Sequence, residues 1–289
     1  MTATNHAGPG LAHEFVDLHT HSTASDGSRA PVDVVRAAQA ARLSAIALTD
    51  HDTLAGLGEA VDEGARLGVE VVRGIELSAV EGQHETHILG LHLSDVAEME
   101  HSLVELRQMR MNRAQRIVER LNTLGIPVRM EAVLEQAKGG AIGRPHVARA
   151  LIAGGWCLDL REAFEKYLGN GRSAFVPKER LLMVDAIGLI HRAGGLAILA
   201  HPAQAGTRER IATLVAEGLD GVEVLHPSHS DADAQRLDAL ATEFRLARSG
   251  GSDWHGASEG PRTLGMMRVP SQWLRDQQER AAARARQVA

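Results

Sequence analysis

The sequence is poor in the residue types that several classes of protein require. A single cysteine, Cys157, excludes a disulfide within the chain and a cysteine-rich zinc site, and it is typical of a reducing compartment. No apolar run is long enough to span a bilayer, and the first residues lack the charged and apolar regions of a signal peptide. We therefore expect a cytoplasmic protein with no membrane partner.

Aromatic residues and positive charge are scarce as well. Aromatics make up 3% of the chain, which argues against a stacking platform for long single strands. The net charge of -6 argues against broad nucleic-acid binding, which needs a basic face. A small basic pocket for one phosphorylated end remains compatible with this composition.

The hydrophobic pattern predicts an α/β fold. With 289 residues, 44% of them hydrophobic, the chain can bury a full core. Short apolar runs alternate with amphipathic helical stretches, for example a strand at 45–49 before a helix at 54–67. This order predicts parallel strands joined by helical crossovers.

The middle of the chain has a different pattern. Residues 96–172 show no convincing strand and contain a long helical stretch, 99–124, rich in Arg and Glu. Because connections inside compact α/β units are short, we predict an all-helical insertion at 96–172 rather than a long crossover. The barrel-like domain would then comprise residues 13–95 and 173–270, followed by a C-terminal helix or tail at 271–289.

Histidine is abundant, with 15 in the chain, and it is the commonest metal ligand. Many histidines and carboxylates fall at the ends of predicted strands, which share one face in a parallel barrel. Imidazoles and carboxylates without thiolates suit Zn²⁺, Mn²⁺ or Fe²⁺ rather than Ca²⁺ or Mg²⁺ alone. The polar groups at these ends are Asp17, His19, His21, Asp26, Asp50, His51, Asp52, Glu76, His87, His201, Glu223, His226, His229, Asp253 and His255.

These positions lie in a series of motifs: DLHTHSTASDG, LTDHDT, GIELS, THILGLHL, GRPHVARAL, LAHP, GVEVLHPSHS and GSDWHG. In this order, over residues 15–265, they resemble the motifs of the PHP (polymerase and histidinol phosphatase) family. They look most like its TrpH-like branch of metal-dependent phosphoesterases. The resemblance implies a distorted (βα)₇ TIM-like barrel with a trinuclear metal site.

The resemblance also implies a ligand set and a cofactor. Two or three divalent ions are expected, Mn²⁺ first, with Zn²⁺, Fe²⁺ or Mg²⁺ as alternatives. Such ions would lower the pKa of a bound water, so that hydroxide attacks the phosphate without a serine or cysteine nucleophile. The first ion would bind His19, His21, Glu76 and Asp253; the second Asp26, His51 and His255; the third Glu76, His87 and His201.

Further residues are predicted to act in proton transfer and substrate binding. His226, His229 and Asp26 are the candidate catalytic residues, with orientation of the metal ligands as an equally open role for the two histidines. Asp17, Asp50 and Asp52 are expected to support the ligands or form turns. Arg107, Arg110 and Arg113 lie three apart on one helix face, where they could bind phosphate. The alternative is a solvent-exposed face without a binding role, which we favour for Arg107. By resemblance, the residues near the substrate are Asn112, Arg113, Arg144 and His146.

We therefore predict a metal-dependent phosphoesterase that hydrolyses a phosphate monoester or diester of a nucleotide, as a nucleoside 3′,5′-bisphosphate phosphatase or a 5′-3′ exonuclease on short 5′-phosphorylated RNA. The expected partners are a phosphorylated small molecule, a nucleotide or the 5′ ends of short RNA. An insertion that overhangs the metals would hold the second phosphate. The alternatives are a histidinol-phosphate phosphatase and a non-catalytic nucleotide-binding module, as PHP domains attached to polymerases can be. A metal-dependent amidohydrolase acting on C–N bonds is disfavoured, because such barrels often place a carbamylated lysine between metals and no strand-end lysine occurs here.

Overall fold

The computed structural model describes residues 14–82, 84–137, 142–177 and 181–288. Its centre is one eight-stranded sheet with the order β7-β6-β5-β4-β3-β2-β1-β8. The strands are β1 Phe15–Thr20, β2 Ala45–Leu48, β3 Glu70–Glu81, β4 His84–Leu91, β5 Leu196–Leu199, β6 Gly221–Leu225, β7 Ala247–Gly250 and β8 Val269–Pro270.

Helices follow most strands. Pro31 opens α1, Gly68 ends α2 in a left-handed conformation, and the Asp95 side chain caps α3 by accepting from the Glu98 amide. The helices are α1 Pro31–Ala40, α2 Leu57–Leu67, α3 Val96–Thr123, α4 Met130–Ala137, α5 Arg144–Ala153, α6 Leu160–Ala163, α7 Met183–Arg192, α8 Arg208–Ala216, α9 Asp231–Glu243 and α10 Ser271–Val288. No described helix is both long and apolar enough to cross a membrane.

The sheet is mixed: the prediction of parallel strands is confirmed for four of the seven pairings between its described strands, and the other three are antiparallel. β4 runs antiparallel to both of its neighbours, and β8 runs antiparallel to β1. The pairing of Glu81 with His84 leaves only a tight turn between β3 and β4, too short for the crossover that a parallel pair needs. β3 also continues to Glu81, well beyond the predicted end at residue 75. Glu76 therefore lies inside a strand rather than at its end.

The sheet nearly closes into a barrel, because β1 meets the segment after β7. The His21 amide donates to the Trp254 carbonyl at 2.9 Å. Gly251 permits this approach, since a Cβ there would lie 2.5 Å from the His19 nitrogen. The buried Asp17 carboxylate accepts from the amides of Ser252 and Gly265, both at 2.9 Å. The predicted class, an α/β distorted TIM-like barrel, is confirmed.

Two apolar clusters cover the two faces of the sheet. Ile46 and Leu48 of β2 pack with α1, α2, α7, α8 and α9, whereas the alternate residues Ala45 and Ala47 pack in the cluster that includes Leu274 of α10. The side chains at the carboxyl ends of β1 and β2 are thereby held on a packed scaffold.

The middle of the chain has an apolar cluster of its own. Ala114, Ile117 and Leu121 of α3 pack there with residues of α4, α5 and α6. The described residues between 96 and 172 include no strand. The first turns of α3 belong elsewhere, because Met99 and Leu103 pack in the cluster of the barrel helices. The division into a barrel domain and a helical domain stays a prediction, which this separate cluster supports.

Candidate metal centre

Glu76 lies at the centre of the polar cluster and is 1% exposed. Its Oε2 atom is 3.2 Å from the Nε2 atoms of both His19 and His21. Its Oε1 atom is 3.0 Å from His87 Nδ1 and 3.1 Å from His201 Nε2. The two oxygens of one buried carboxylate thus face two sets of imidazoles, which is the placement expected of a bridging ligand.

The first predicted ligand group is compact and buried. His19 Nε2 and His21 Nε2 lie 3.1 Å apart, and Asp253 Oδ1 lies 3.2 Å from His21 Nε2. The other oxygen of Asp253 pairs with Arg262. His19, His21, Glu76 and Asp253 offer ligand atoms within 4.8 Å of one another, close to the spacing of donors that each lie about 2.0–2.2 Å from one ion.

The second predicted group, Asp26, His51 and His255, is more exposed and lies beside the first. Asp26 Oδ1 is 3.1 Å from His255 Nε2, and Asp26 Oδ2 is 3.9 Å from His51 Nε2. His21 joins this group, with its Nδ1 atom 3.9 Å from Asp26 Oδ1. The structure therefore brings the three predicted residues together and adds a fourth donor.

The third predicted group, Glu76, His87 and His201, lies on the other side of the Glu76 carboxylate. His87 Nδ1 and His201 Nε2 are 3.3 Å apart. His51 also approaches this group, with Nδ1 3.3 Å from Glu76 Oε2. The three groups overlap through Glu76, His21 and His51, so they form one continuous site.

These residues fit a multinuclear site for divalent metals. Among the described residues, the buried Nδ1 atoms of His21 and His51 have no hydrogen-bond partner, which leaves them available to a ligand. Burial lowers the pKa of His51 to about 3, so that its ring is a neutral donor. Although burial favours its neutral form, Glu76 has a pKa well below the usual range because His19, His51 and His87 surround it.

The backbone is strained at three positions of the site. Asp52, His201 and Asp253 have φ angles of 49°, 31° and 51°, in the left-handed region that residues other than glycine rarely adopt. The amide of His201 is held by the Glu223 carboxylate at 2.7 Å. Strain of this kind persists where surrounding contacts impose it, and it concentrates at functional sites.

Asp50 and Asp52 support the loops that carry the ligands. Asp50 accepts from the Ser22 amide at 2.7 Å and from the Ser25 hydroxyl at 2.6 Å, which fixes the loop that bears Asp26. Asp52 accepts from the Ser78 amide at 3.1 Å and pairs with Arg110 of α3. The predicted supporting role is therefore consistent with their contacts.

Glu223 was not assigned a role from the sequence, although its position at a strand end was noted. It is fully buried, and its Oε1 atom is 3.1 Å from His19 Nδ1. This bond holds the His19 ring with Nε2 directed at Glu76 and His21. Although burial opposes protonation, the carboxylates of Glu223, Glu76 and Asp253 raise the pKa of His19 well above its usual value.

The three predicted catalytic residues have different surroundings in the structure. His226 is 1% exposed, and its Nδ1 atom accepts a hydrogen bond from the Ser228 amide. Its Nε2 atom lies 3.5 Å from Asp253 Oδ2. Both nitrogens of His229 contact backbone, the Val224 carbonyl at 2.9 Å and the Ala203 amide at 3.2 Å. Only Asp26 of the three lines the cavity described next, so the contacts of the two histidines favour positioning roles.

A cavity of about 230 Å³, called the cap cavity below, lies between the cluster and the helical region. Its lining includes Asp26, His51 and His87 of the cluster and Arg110, Arg113 and Arg144 of the helices. The buried His146 lines it too, with Nδ1 receiving the Gly143 amide at 3.0 Å. Asn112 does not; it is exposed on α3 and accepts from Gln108.

Two of the three arginines of the cap cavity are held by carbonyl groups of the middle region. Arg113 donates to the Val176 carbonyl at 3.0 Å, and Arg144 donates to the Leu168 carbonyl at 3.2 Å. Burial lowers the pKa of Arg110 and of Arg113 to about 10, so both stay charged at neutral pH. Arg110 was not assigned to the substrate from the sequence, and its spacing of three from Arg113 was the available signal.

A barrel-shaped sheet with a cluster of histidines and carboxylates at one end is the architecture of a metal-dependent hydrolase. The PHP domain family model matches residues 17–169. The 5′-3′ exoribonuclease Rnm of Escherichia coli is 37% identical over 88% of this chain and 88% of its own length. The chain therefore belongs to the PHP family, as the motifs predicted.

Two further proteins are similar to this chain over most of its length. The 3′,5′-nucleoside bisphosphate phosphatase of Chromobacterium violaceum is 36% identical over 86% of this chain and 90% of its own length. A solved structure from Bifidobacterium adolescentis, described as a metal-dependent phosphoesterase, superposes with a TM-score of 0.81 at 30% identity. It covers 93% of this chain and 97% of that one.

Proposed function

We propose that this protein is a metal-dependent phosphoesterase that acts on a nucleotide carrying two phosphates. The observation that carries the proposal is the cap cavity, whose lining combines candidate metal-ligand side chains with three arginines. One phosphate would lie on the cluster and the second on the guanidinium groups, which bind phosphate with directed hydrogen bonds. Substrates of this kind are a nucleoside 3′,5′-bisphosphate and the 5′-phosphorylated end of a short RNA.

The named relatives suit this choice, since one is a bisphosphate phosphatase and the other degrades RNA from the 5′ end. A single orientation of the nucleotide between the cap cavity and the cluster would account for both activities. The 5′-phosphate lies against Arg110, Arg113 and Arg144, and the 3′-phosphate lies at the cluster. The same bond between phosphorus and O3′ is then cleaved in both substrates.

We propose His19, His21, Asp26, His51, Glu76, His87, His201, Asp253 and His255 as the metal ligands, with Mn²⁺ as the first candidate ion. Bound divalent ions supply positive charge for the phosphate oxygens and lower the pKa of water near the phosphorus. Although burial favours its neutral form, Asp26 has a pKa well below the usual range because of His255 and His51. At neutral pH it is therefore a ligand and proton acceptor rather than a donor.

Two other functions remain as alternatives. A histidinol-phosphate phosphatase would use the same cluster, but its substrate has one phosphate and would leave the three cap-cavity arginines without an anion. A non-catalytic nucleotide-binding module would bind the same ligands without turnover. The intact ligand groups favour catalysis over binding alone.

The experiment is a parallel assay of Mn²⁺-reconstituted protein on adenosine 3′,5′-bisphosphate, 5′-AMP, histidinol phosphate and a 5′-phosphorylated oligoribonucleotide. Hydrolysis of the bisphosphate or the oligoribonucleotide, with 5′-AMP resistant, is the expected result. Preference for histidinol phosphate would replace the proposed substrate while retaining the metal centre. Binding of metal without hydrolysis of any of the four would favour the binding module.

A further inference from the structure

A second cavity, of about 600 Å³, lies against the same cluster. We call it the hairpin groove, because the β3–β4 hairpin forms one wall and the segment from β5 to α8 forms the other. Its lining includes the predicted metal ligands His87 and His201. Glu85 and His87 also line the cap cavity, so the two spaces meet beside the cluster.

The walls of the hairpin groove are joined by Arg210 of α8. Its Nε atom donates to Glu81 Oε2 at 2.8 Å, and its Nη2 atom donates to Thr86 Oγ1 at 2.9 Å. A further bond at 3.3 Å runs to the Ala205 carbonyl. These contacts tie the hairpin to the opposite wall and give the groove a defined width.

The charge of the hairpin groove differs from that of the cap cavity. Of its described lining residues, the one arginine, Arg210, is already paired with Glu81, whereas the cap cavity has three arginines, of which Arg113 and Arg144 bond to carbonyl groups. A run of phosphates needs cations that are directed at it, and this lining does not present them. Carboxylates accept hydrogen bonds from hydroxyl groups, so the lining suits a sugar and a base.

We propose that the hairpin groove binds the nucleoside on the 3′ side of the scissile phosphate when the substrate is a short RNA. The inference rests on the proposed function and deepens it. With the first nucleotide in the cap cavity and the phosphorus at the cluster, the second nucleotide has to leave the cluster through another opening. The groove starts at His87 and His201, and its volume lies in the range of about 300–1,000 Å³ usual for ligand pockets.

The reaction balances for both substrates. A water oxygen joins the phosphorus, the bond from phosphorus to O3′ breaks, and O3′ gains a proton. A dinucleotide then yields a nucleoside 5′-monophosphate in the cap cavity and a second 5′-phosphorylated nucleoside in the hairpin groove. With a nucleoside bisphosphate the second product is inorganic phosphate, and the groove takes no part.

The groove can be filled without changing a metal ligand. Ala205 is exposed and lines it, whereas the neighbouring exposed Gln204 does not. For Ala205→Trp we expect kcat/KM on a 5′-phosphorylated dinucleotide to fall about tenfold or more, with the nucleoside bisphosphate changed by less than about twofold. Gln204→Trp is the matched control and should leave both substrates unchanged.

A second variant trims the groove instead. His84 lines it from the exposed tip of the hairpin, and His84→Ala should raise KM for the dinucleotide about fivefold if the ring stacks on the base, with the bisphosphate unaffected. Because the groove fits one nucleoside, a tetranucleotide should be cleaved no better than the dinucleotide. Metal content, measured for each variant, should match that of the unmodified protein.

The outcomes separate the two proposals. If the unmodified protein cleaves both substrates and neither variant discriminates between them, the groove assignment is wrong and the proposed function stands. Cleavage of the bisphosphate but not of the dinucleotide would also overturn the groove assignment alone. If neither substrate is hydrolysed, the proposed function fails and this inference fails with it.

Discussion

The metal centre and the cap cavity's arginine side are adjacent but are built in different ways. The ligands of the metal centre come from strands far apart in the chain, and His19, His21 and Glu76 are at most 1% exposed. Arg113 and Arg144 lie on helices with a separate apolar cluster, and they bond to carbonyls of the same region. The proposed sites of chemistry and of recognition thus rest on separate apolar clusters.

The difference has a consequence for substitutions. A change among the ligands disturbs several partners at once, because Glu76 alone contacts His19, His21, His87 and His201. A change at Arg113 or Arg144 would remove one proposed contact with the substrate and would leave the cluster in place. The ion pair of Arg110 with Asp52 is a described contact that joins the two regions.

The largest effect is expected from Glu76→Gln. Loss of the central carboxylate charge should lower metal content and reduce kcat by about a thousandfold or more, since metal-ion catalysis contributes several kcal/mol. Metal analysis and phosphate release check both parts. Normal metal content with normal activity would contradict the bridging role of Glu76.

A smaller and selective effect is expected from Arg144→Gln. Loss of a charged hydrogen bond, about 1.5–3 kcal/mol, should lower kcat/KM on the nucleoside bisphosphate by roughly 10–150-fold while metal content stays constant. Arg107→Gln is the matched control, because Arg107 lies on α3 but pairs with Glu100 and does not line the cap cavity. Equal losses for the two variants would remove the distinction between the regions.

Glu223→Gln tests whether a residue that is not itself a proposed ligand strengthens metal binding. Loss of the charge that orients His19 should weaken metal affinity about 10–100-fold, the usual range for partners of metal ligands. Titration with Mn²⁺ measures this, and Glu217→Gln on the exposed end of α8 is the control. Unchanged affinity in the Glu223 variant would assign that residue to packing alone.

The smallest effect concerns pH and the metal-free protein. Although burial opposes protonation, Asp253 and Glu76 raise the pKa of His21 to about 9. Its protonated form therefore stabilises the metal-free fold fully below the unfolded value near 6.5, and this contribution is lost as pH rises through about 9.

We expect the Tm of the metal-free protein to fall by roughly 5 °C between pH 7 and pH 9.5. Mn²⁺ should raise Tm more at pH 9 than at pH 6.5, because the ion has to displace protons from the cluster. Thermal unfolding with and without Mn²⁺ checks this prediction. A metal-induced increase in Tm that does not depend on pH would argue against proton displacement.

The local patterns of the sequence predicted most elements correctly. Hydrophobic periodicity located β2 and α2, which were predicted at 45–49 and 54–67 and are observed at Ala45–Leu48 and Leu57–Leu67. The motif order predicted the family, and the strand-end positions of His19, His21 and His51 indicated that these residues meet. These features are local or repeated along the chain, so a single sequence contains them.

The misses depend on contacts between distant segments. The antiparallel direction of β4 follows from its short connection to β3, which leaves no room for a crossover. The role of Glu223 in orienting His19 and the His201 amide depends on its distance from both residues. Arg110 was visible as one of three arginines on a face, but its pairing with Asp52 required α3 to lie over the end of β2.

The sequence by itself determined the kinds of chemical groups and the elements that carry them: imidazoles and carboxylates after short strands, and arginines on helices. Only the tertiary structure decided their mutual arrangement. The barrel closes where Gly251 passes beside His19, the two oxygens of Glu76 face separate sets of histidines, and two cavities meet at Glu85 and His87. Hydrogen bonds and packing act over a few ångströms, so contacts between residues far apart in sequence are defined only when the chain is folded.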